Sequence, residues 1–278
     1  MLHKLKMQTL EAMGDTNYAY RARVAHDAIG ATVHPIAAGL LLAMEKVAKT
    51  TTIKLLVAQE LVAFVFHVFY CLWHAQPTLM YRAFGPAEGT RNSGKWAEYA
   101  LSATLGTIAV LYASEQTIDW WWILLLCATC VSQQLIGYTL DQEEQKPQIK
   151  WANFCIAWIL QICEFLIVLS LPERSGSSTE ETYSLRIVYV LAWSSFGMLA
   201  FIDIKREDNQ RFLPDWNDTI EAMYACLSWT SKLAVVLLSV YPFAYVAVLA
   251  LLGGIVCIAA TWIFIIQNTS YTQVNAVL

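Results

Sequence analysis

The sequence predicts an all-α integral membrane protein that crosses the bilayer seven or eight times. Three observations carry this. The chain is 57% hydrophobic and only 14% charged, where a soluble domain carries about 25% charged residues. Its mean hydropathy is +0.46. Apolar runs of roughly 20 residues, the length that crosses a bilayer as a helix, recur along the chain, with the charges gathered between them.

The N-terminal stretch MLHKLKMQTLEAMGDTN has no apolar signal core, so insertion falls to the first span, at 24–44. A short loop at 45–54 leads to the second, 55–75. The third, 94–114, opens GKWAEYALSATLGT, and the fourth follows at 119–139. The fifth, 152–171, ends before RSGSSTEET (174–182), the clearest linker. The sixth spans 186–204 and the seventh 218–240. An eighth, 243–267, begins after a turn at Pro242, since the two together are too long for one helix in a hydrocarbon layer of about 30 Å. The expected organisation is a seven-helix bundle over 1–240, then an extra span and tail over 241–278.

Lysine and arginine set the orientation. The N-terminal side carries Lys4, Lys6, Arg21, Arg23, Arg82, Arg91, Lys95, Lys146, Lys150, Lys205, Arg206 and Arg211. The opposite side carries Lys46, Lys49, Lys54, Arg174 and Arg186. The N-terminus is therefore expected in the cytoplasm, in a multi-pass protein of the plasma membrane. Eight spans return the C-terminus to the cytoplasm. Seven put it outside, the one case in which the Asn268-Thr269-Ser270 sequon matters. No basic tract suggests nucleic acid as a partner. The seven cysteines lie in apolar segments and read as small buried hydrophobes, the Cys127-x-x-Cys130 pair included.

Few charges remain inside the spans. Positions 227–236 read LSWTSKLAVV, with Lys232 near a midplane, where a lysine costs about 2.5–3.5 kcal/mol on insertion. Helical spacing aligns it with Glu221, Ser228 and Ser239. Two readings stay open: a buried Lys–Glu pair fixing helix register, or a reactive amine able to form a Schiff base. In the third span, Glu98 sits among Trp96, Tyr99, Ser102 and Thr104. It reads either as the partner of a cation on another helix or as an interfacial glutamate in an aromatic belt.

Together, Trp96-x-Glu98-Tyr99 in the third span and Ser228-x-x-x-Lys232 in the seventh resemble the heliorhodopsins, retinal-binding microbial rhodopsins whose N-terminus lies inside. The resemblance covers roughly residues 15–240. It implies a seven-helix rhodopsin-like bundle, a non-enzymatic photoreceptor and a homodimer whose signalling partner is unknown. It implies all-trans retinal bound to Lys232 as a protonated Schiff base, with Glu98 as counterion and Ser228 hydrogen-bonded beside them. Trp96, Tyr99, Trp193, Phe196 and Trp229 would form the chromophore cage. His26 and His67 match family histidines near the Schiff base and would accept its proton. Asp141 and Glu221 match family carboxylates and, with Glu164, would extend a proton path. The chain departs from the pattern in its short 45–54 loop, in Gln161 at a fifth-helix proline position, in the added carboxylate of Glu164 and in the eighth span.

The chemistry demands such a pair. Two unit charges 4 Å apart attract by about 4 kcal/mol at an effective dielectric of 20, enough for one carboxylate to keep an imine charged at neutral pH. Photoisomerisation would then drive a slow sensory or regulatory change. The alternatives are a light-activated proton channel or transporter on the same scaffold, a hydrolase holding zinc through His26, His34, His67 and His74, and a secondary transporter with a midplane Lys–Glu pair. The expected metal content is none.

Overall fold

The computed structural model describes residues 18–48, 51–76, 94–114, 118–141, 146–170, 179–205, 216–240 and 253–254. Seven helices fill them: α1 (Tyr18–Ala48), α2 (Thr51–Ala75), α3 (Gly94–Ser114), α4 (Trp120–Leu140), α5 (Pro147–Ser170), α6 (Thr179–Lys205) and α7 (Trp216–Val240). Among the described residues there is no strand. Each helix contains or closely overlaps one of the first seven predicted spans. The predicted eighth span, and with it the segment 241–278, lies outside the described residues apart from Gly253 and Gly254.

Among the described residues, five helical segments are long and apolar enough to cross a membrane: Thr51–Ala75, Trp120–Leu140, Pro147–Ser170, Leu185–Lys205 and Asp218–Leu238. The chain is thus a multi-pass, all-α membrane protein. α1 and α3 are less apolar for a visible reason. They carry His26, Asp27 and His34, and Lys95, Glu98, Ser102 and Thr107, all buried inside the protein. The apolar residues point the other way. On α5, Ile149, Ile156, Ile159, Ile162, Leu166 and Leu169 are exposed along one side, the face a lipid-bathed helix presents.

The helices pack in chain order, each against the next, and α7 closes the ring on α1. α3 also reaches α6 and α7 across the interior. α7 is buried nearly all round, with every residue from Thr219 to Ser228 covered. Two apolar clusters lie along it. One gathers Leu41, Leu56, Leu111, Leu126, Val188 and Val235. The other gathers Tyr99, Leu199, Ile220, Met223, Tyr224 and Leu227. The stretch 228–232 falls between them, and the polar site is built there.

Several hydroxyls inside the helices are satisfied locally, which spares a donor in a water-free environment. Thr32, Thr104, Thr129 and Ser195 each donate to the carbonyl four residues back, at 2.6–2.9 Å. Asp119 caps α4 by accepting from the Trp121 amide at 3.1 Å. Lys95, Lys150 and Arg186, counted from the sequence as loop charges, are instead buried. Arg186 donates to the Leu169 carbonyl at 3.3 Å. A cation near a helix end that finds a carboxylate or a free carbonyl of its neighbour stays inside.

Candidate functional site: a buried lysine at the end of an aromatic pocket

Lys232 and Glu98 meet. Lys232 Nζ donates to Glu98 Oε1 at 2.6 Å and to Ser228 Oγ, one turn earlier on α7, at 2.5 Å. Ser228 Oγ donates to the same Glu98 oxygen at 3.2 Å, and the Tyr70 hydroxyl of α2 donates to the other at 3.3 Å. Lys232 Nζ also lies 5.4 Å from the centre of the Tyr99 ring. Glu98 is 1% exposed and Lys232 4%, so Glu98 is no interfacial glutamate but the buried partner of a buried cation. Charge-assisted hydrogen bonds satisfy both groups, the condition under which such a pair is tolerated in a low dielectric.

Lys232 also lines a pocket between α3, α4, α5, α6 and α7, with ≈ 810 Å³ of empty space including its open mouth. Its walls hold four of the five predicted cage aromatics: Trp96, Tyr99, Trp193 and Phe196. They pack edge to face, Tyr99 against Phe196 at 5.3 Å and Trp193 against Phe196 at 5.9 Å between ring centres. The fifth, Trp229, is not among the lining residues, a correction to the expected cage. It is a partly buried residue of α7 next to Ser228. Tyr224, Phe154 and Trp158 line the pocket instead. In a chain with 11 Trp, 13 Tyr and 11 Phe, spacing alone did not single them out.

Trp96 is held on two sides. Its indole nitrogen donates to Asp141 Oδ2 at 2.5 Å, and its ring fills the space that a Cβ at Gly137 would need. Gly137→Ala is therefore expected to push the ring out and to destabilise the protein by about 1–3 kcal/mol. A lowered thermal midpoint of the detergent-purified variant checks this.

Asp141 and Glu221, expected along a proton path, are joined by Lys95, at the start of the third span and counted among the orienting charges. Lys95 Nζ lies 2.6 Å from Glu221 Oε1 and 2.9 Å from Asp141 Oδ2, and 4.5 Å from the centre of the Tyr224 ring. The trio ties α3, α4 and α7 together. Lys95→Met strands two buried carboxylates and should cost about 3–5 kcal/mol, read as loss of folded protein in a denaturation series.

The histidines of α1 and α2 pair with buried carboxylates and with one another. His67 Nδ1 lies 3.2 Å from Asp27 Oδ1, and His74 Nε2 lies 2.9 Å from Asp27 Oδ2. The ring stacked on His67 is that of His34, at 5.2 Å, not that of His26. The reason is the register of α1 on α2. The His67 ring lies over Gly30, which has no space for a side chain, so the next turn of α1 supplies the neighbour. His26 lies two turns before His34, nearly buried. His34 Nδ1 pairs with Glu60 Oε2 at 2.5 Å, both fully buried, and His34 is within electrostatic reach of Lys232 and Glu98.

Glu164 forms a separate cluster. It accepts from Gln133 Nε2 at 3.0 Å, from Cys130 Sγ and Thr107 Oγ1 at 3.3 Å each, and from the Tyr189 hydroxyl. Cys130 is thus a hydrogen-bonding residue of a carboxyl site. Among the described residues, no three His, Cys, Asp or Glu side chains converge as a metal-ligand set.

No known protein-family model matches this chain, and no curated protein matches it. What the site can do follows from its own chemistry: a primary amine, paired with one buried carboxylate, at the wall of an aromatic pocket.

Proposed function

We propose that the chain is a light-absorbing retinal protein, a heliorhodopsin-like photoreceptor on a seven-helix rhodopsin-like bundle. Lys232 is the attachment point for all-trans retinal and Glu98 its counterion. One observation carries the reading: Lys232 is bonded to a buried carboxylate and a serine, and also lines the aromatic pocket. A lysine serving only as a helix-register ion pair needs no such cavity beside it.

The residues fit the ligand. The pocket is lined mainly by aromatic and apolar side chains with a few polar groups among them, as small-molecule sites are, and flat aromatic walls suit a polyene. Retinal, when bound, supplies visible absorption and a light-driven change of shape, its aldehyde having condensed with the neutral Lys232 amine with loss of one water. Glu98 Oε1 stabilises positive charge at the lysine nitrogen, and Ser228 Oγ holds that oxygen in place. Tyr70 fixes the second carboxylate oxygen, so Glu98 keeps its aim. When the nitrogen loses its alignment with Glu98, the nearby imidazoles can accept its proton. Nε2 of His34 and Nε2 of His67 have no hydrogen-bond partner among the described residues. The lysine and arginine bias supports a cytoplasmic N-terminus, because leaving out the buried Lys95, Lys150 and Arg186 does not change its sign. Plasma-membrane location and homodimerisation belong to the same proposal.

The test is a visible absorption spectrum of membranes from cells expressing the chain with and without added all-trans retinal. A retinal-dependent band is expected. Its absence from correctly inserted protein would sink the reading and return Lys232 to a structural or transport ion pair.

The buried acid–imidazole pairs Asp27–His67 and Glu60–His34 favour a second reading, light-activated proton conduction on this scaffold. Voltage-clamped cells would then show photocurrent. Zero current at all holding potentials rejects it.

A further inference from the structure

The pocket is not apolar throughout. Ser102 of α3, Gln133 and Gln134 of α4 and Gln161 of α5 line it along with the aromatic rings. The Gln133 amide is engaged by Glu164 at 3.0 Å. Two other groups are not satisfied: the Gln161 amide nitrogen and the Ser102 hydroxyl are both buried without a hydrogen-bond partner among the described residues. Buried donors are rarely left in that state, because an unpaired amide in a dry site forfeits its hydration with no return. Hydrocarbon placed against them would leave both groups unpaired.

Their position gives the ligand's polarity a direction. Lys232 enters the pocket from α7, whereas Gln161 enters from α5, a helix separated from α7 by α6 in the ring. A ligand anchored at Lys232 and lying through the pocket presents its far end to α5. There Phe154 and Trp158 supply apolar contact and Gln161 supplies a donor.

We propose that this pocket selects a retinoid bearing an acceptor oxygen on its ring, and that Gln161 is the specificity-determining residue. The inference rests on the retinal reading above. The Gln161 amide N–H donates to a ring carbonyl or hydroxyl oxygen, and Ser102 serves whichever polar atom or water lies nearer the polyene. No bond is made or broken at this end.

The experiment loads protein expressed without retinoid with all-trans retinal and all-trans 4-oxoretinal in competition, followed by extraction and quantification of the bound chromophores. Wild type is expected to take up the 4-oxo compound in about tenfold preference, the worth of one such hydrogen bond. Gln161→Leu is expected to abolish the preference while still forming pigment with plain retinal, which shows that it folds. Equal uptake or a preference for plain retinal in wild type overturns the proposal, as does a preference that survives Gln161→Leu. In those cases a bound water satisfies the amide. Pigment from neither compound sinks the retinal reading itself, a distinct outcome.

Discussion

Lys232→Ala is expected to abolish every retinal-dependent visible band. The effect is all or none, because Lys232 is the only Lys or Arg among the described residues that line the pocket. The substitution also strands Glu98, which would keep only the neutral donors Ser228 and Tyr70. Removing one partner of a buried ion pair costs about 3–5 kcal/mol, so loss of the band in this variant could report unfolding. The double variant Lys232→Met/Glu98→Gln, which keeps the side-chain volumes, separates the two effects. It removes both charges, and paired removal is nearly neutral for stability. It should therefore melt within about 1 kcal/mol of wild type and remain colourless. A band that persists in either variant rules Lys232 out as the anchor.

Glu98→Gln is expected to shift the retinal-loaded protein from visible to near-ultraviolet absorption at neutral pH. The amide keeps the size and the hydrogen-bonding oxygen of the glutamate but loses its charge. The attraction removed is about 4 kcal/mol at an effective dielectric of 20, which weakens proton retention at the lysine nitrogen about a thousandfold. Acidification should restore the visible band, and a titration between about pH 3 and 9 measures the change. An unaltered visible band at neutral pH would assign the counterion elsewhere, with Glu60, fully buried and within electrostatic reach of Lys232, the first group to examine. Each variant attacks a different property, attachment in one and charge in the other, so the pair distinguishes a covalent anchor from an ordinary ion pair.

Much of the architecture was legible in the sequence because lipid imposes a simple rule. A span must be long, apolar and internally hydrogen-bonded, and hydropathy along the chain shows where that holds. Segments 94–114 and 119–139 were placed within a residue of α3 and α4 on that basis. Lys232 and Glu98 stood out for the same reason, since ionisable groups within spans are rare and need partners. Helical periodicity placed Ser228 beside Lys232 correctly, because a contact four residues apart is local.

Contacts between helices were a different matter. That Lys95 joins Asp141 to Glu221, that His34 rather than His26 stacks on His67, and that Trp229 stays out of the pocket lining while Phe154 and Trp158 enter it all depend on how helices are rotated and shifted against one another. A one-residue rotation of α1 turns each side chain by about 100°, and nothing local to α1 opposes it. Close fits between distant residues decide it, Gly30 under His67 and Gly137 under Trp96 among them. The sequence by itself determined the membrane class, the positions of the described helices and the two intramembrane ionisable groups, Lys232 and Glu98, that needed partners. Only the tertiary structure decided which rings and amides surround that amine, because close packing between helices is a property of pairs of surfaces and of no single segment.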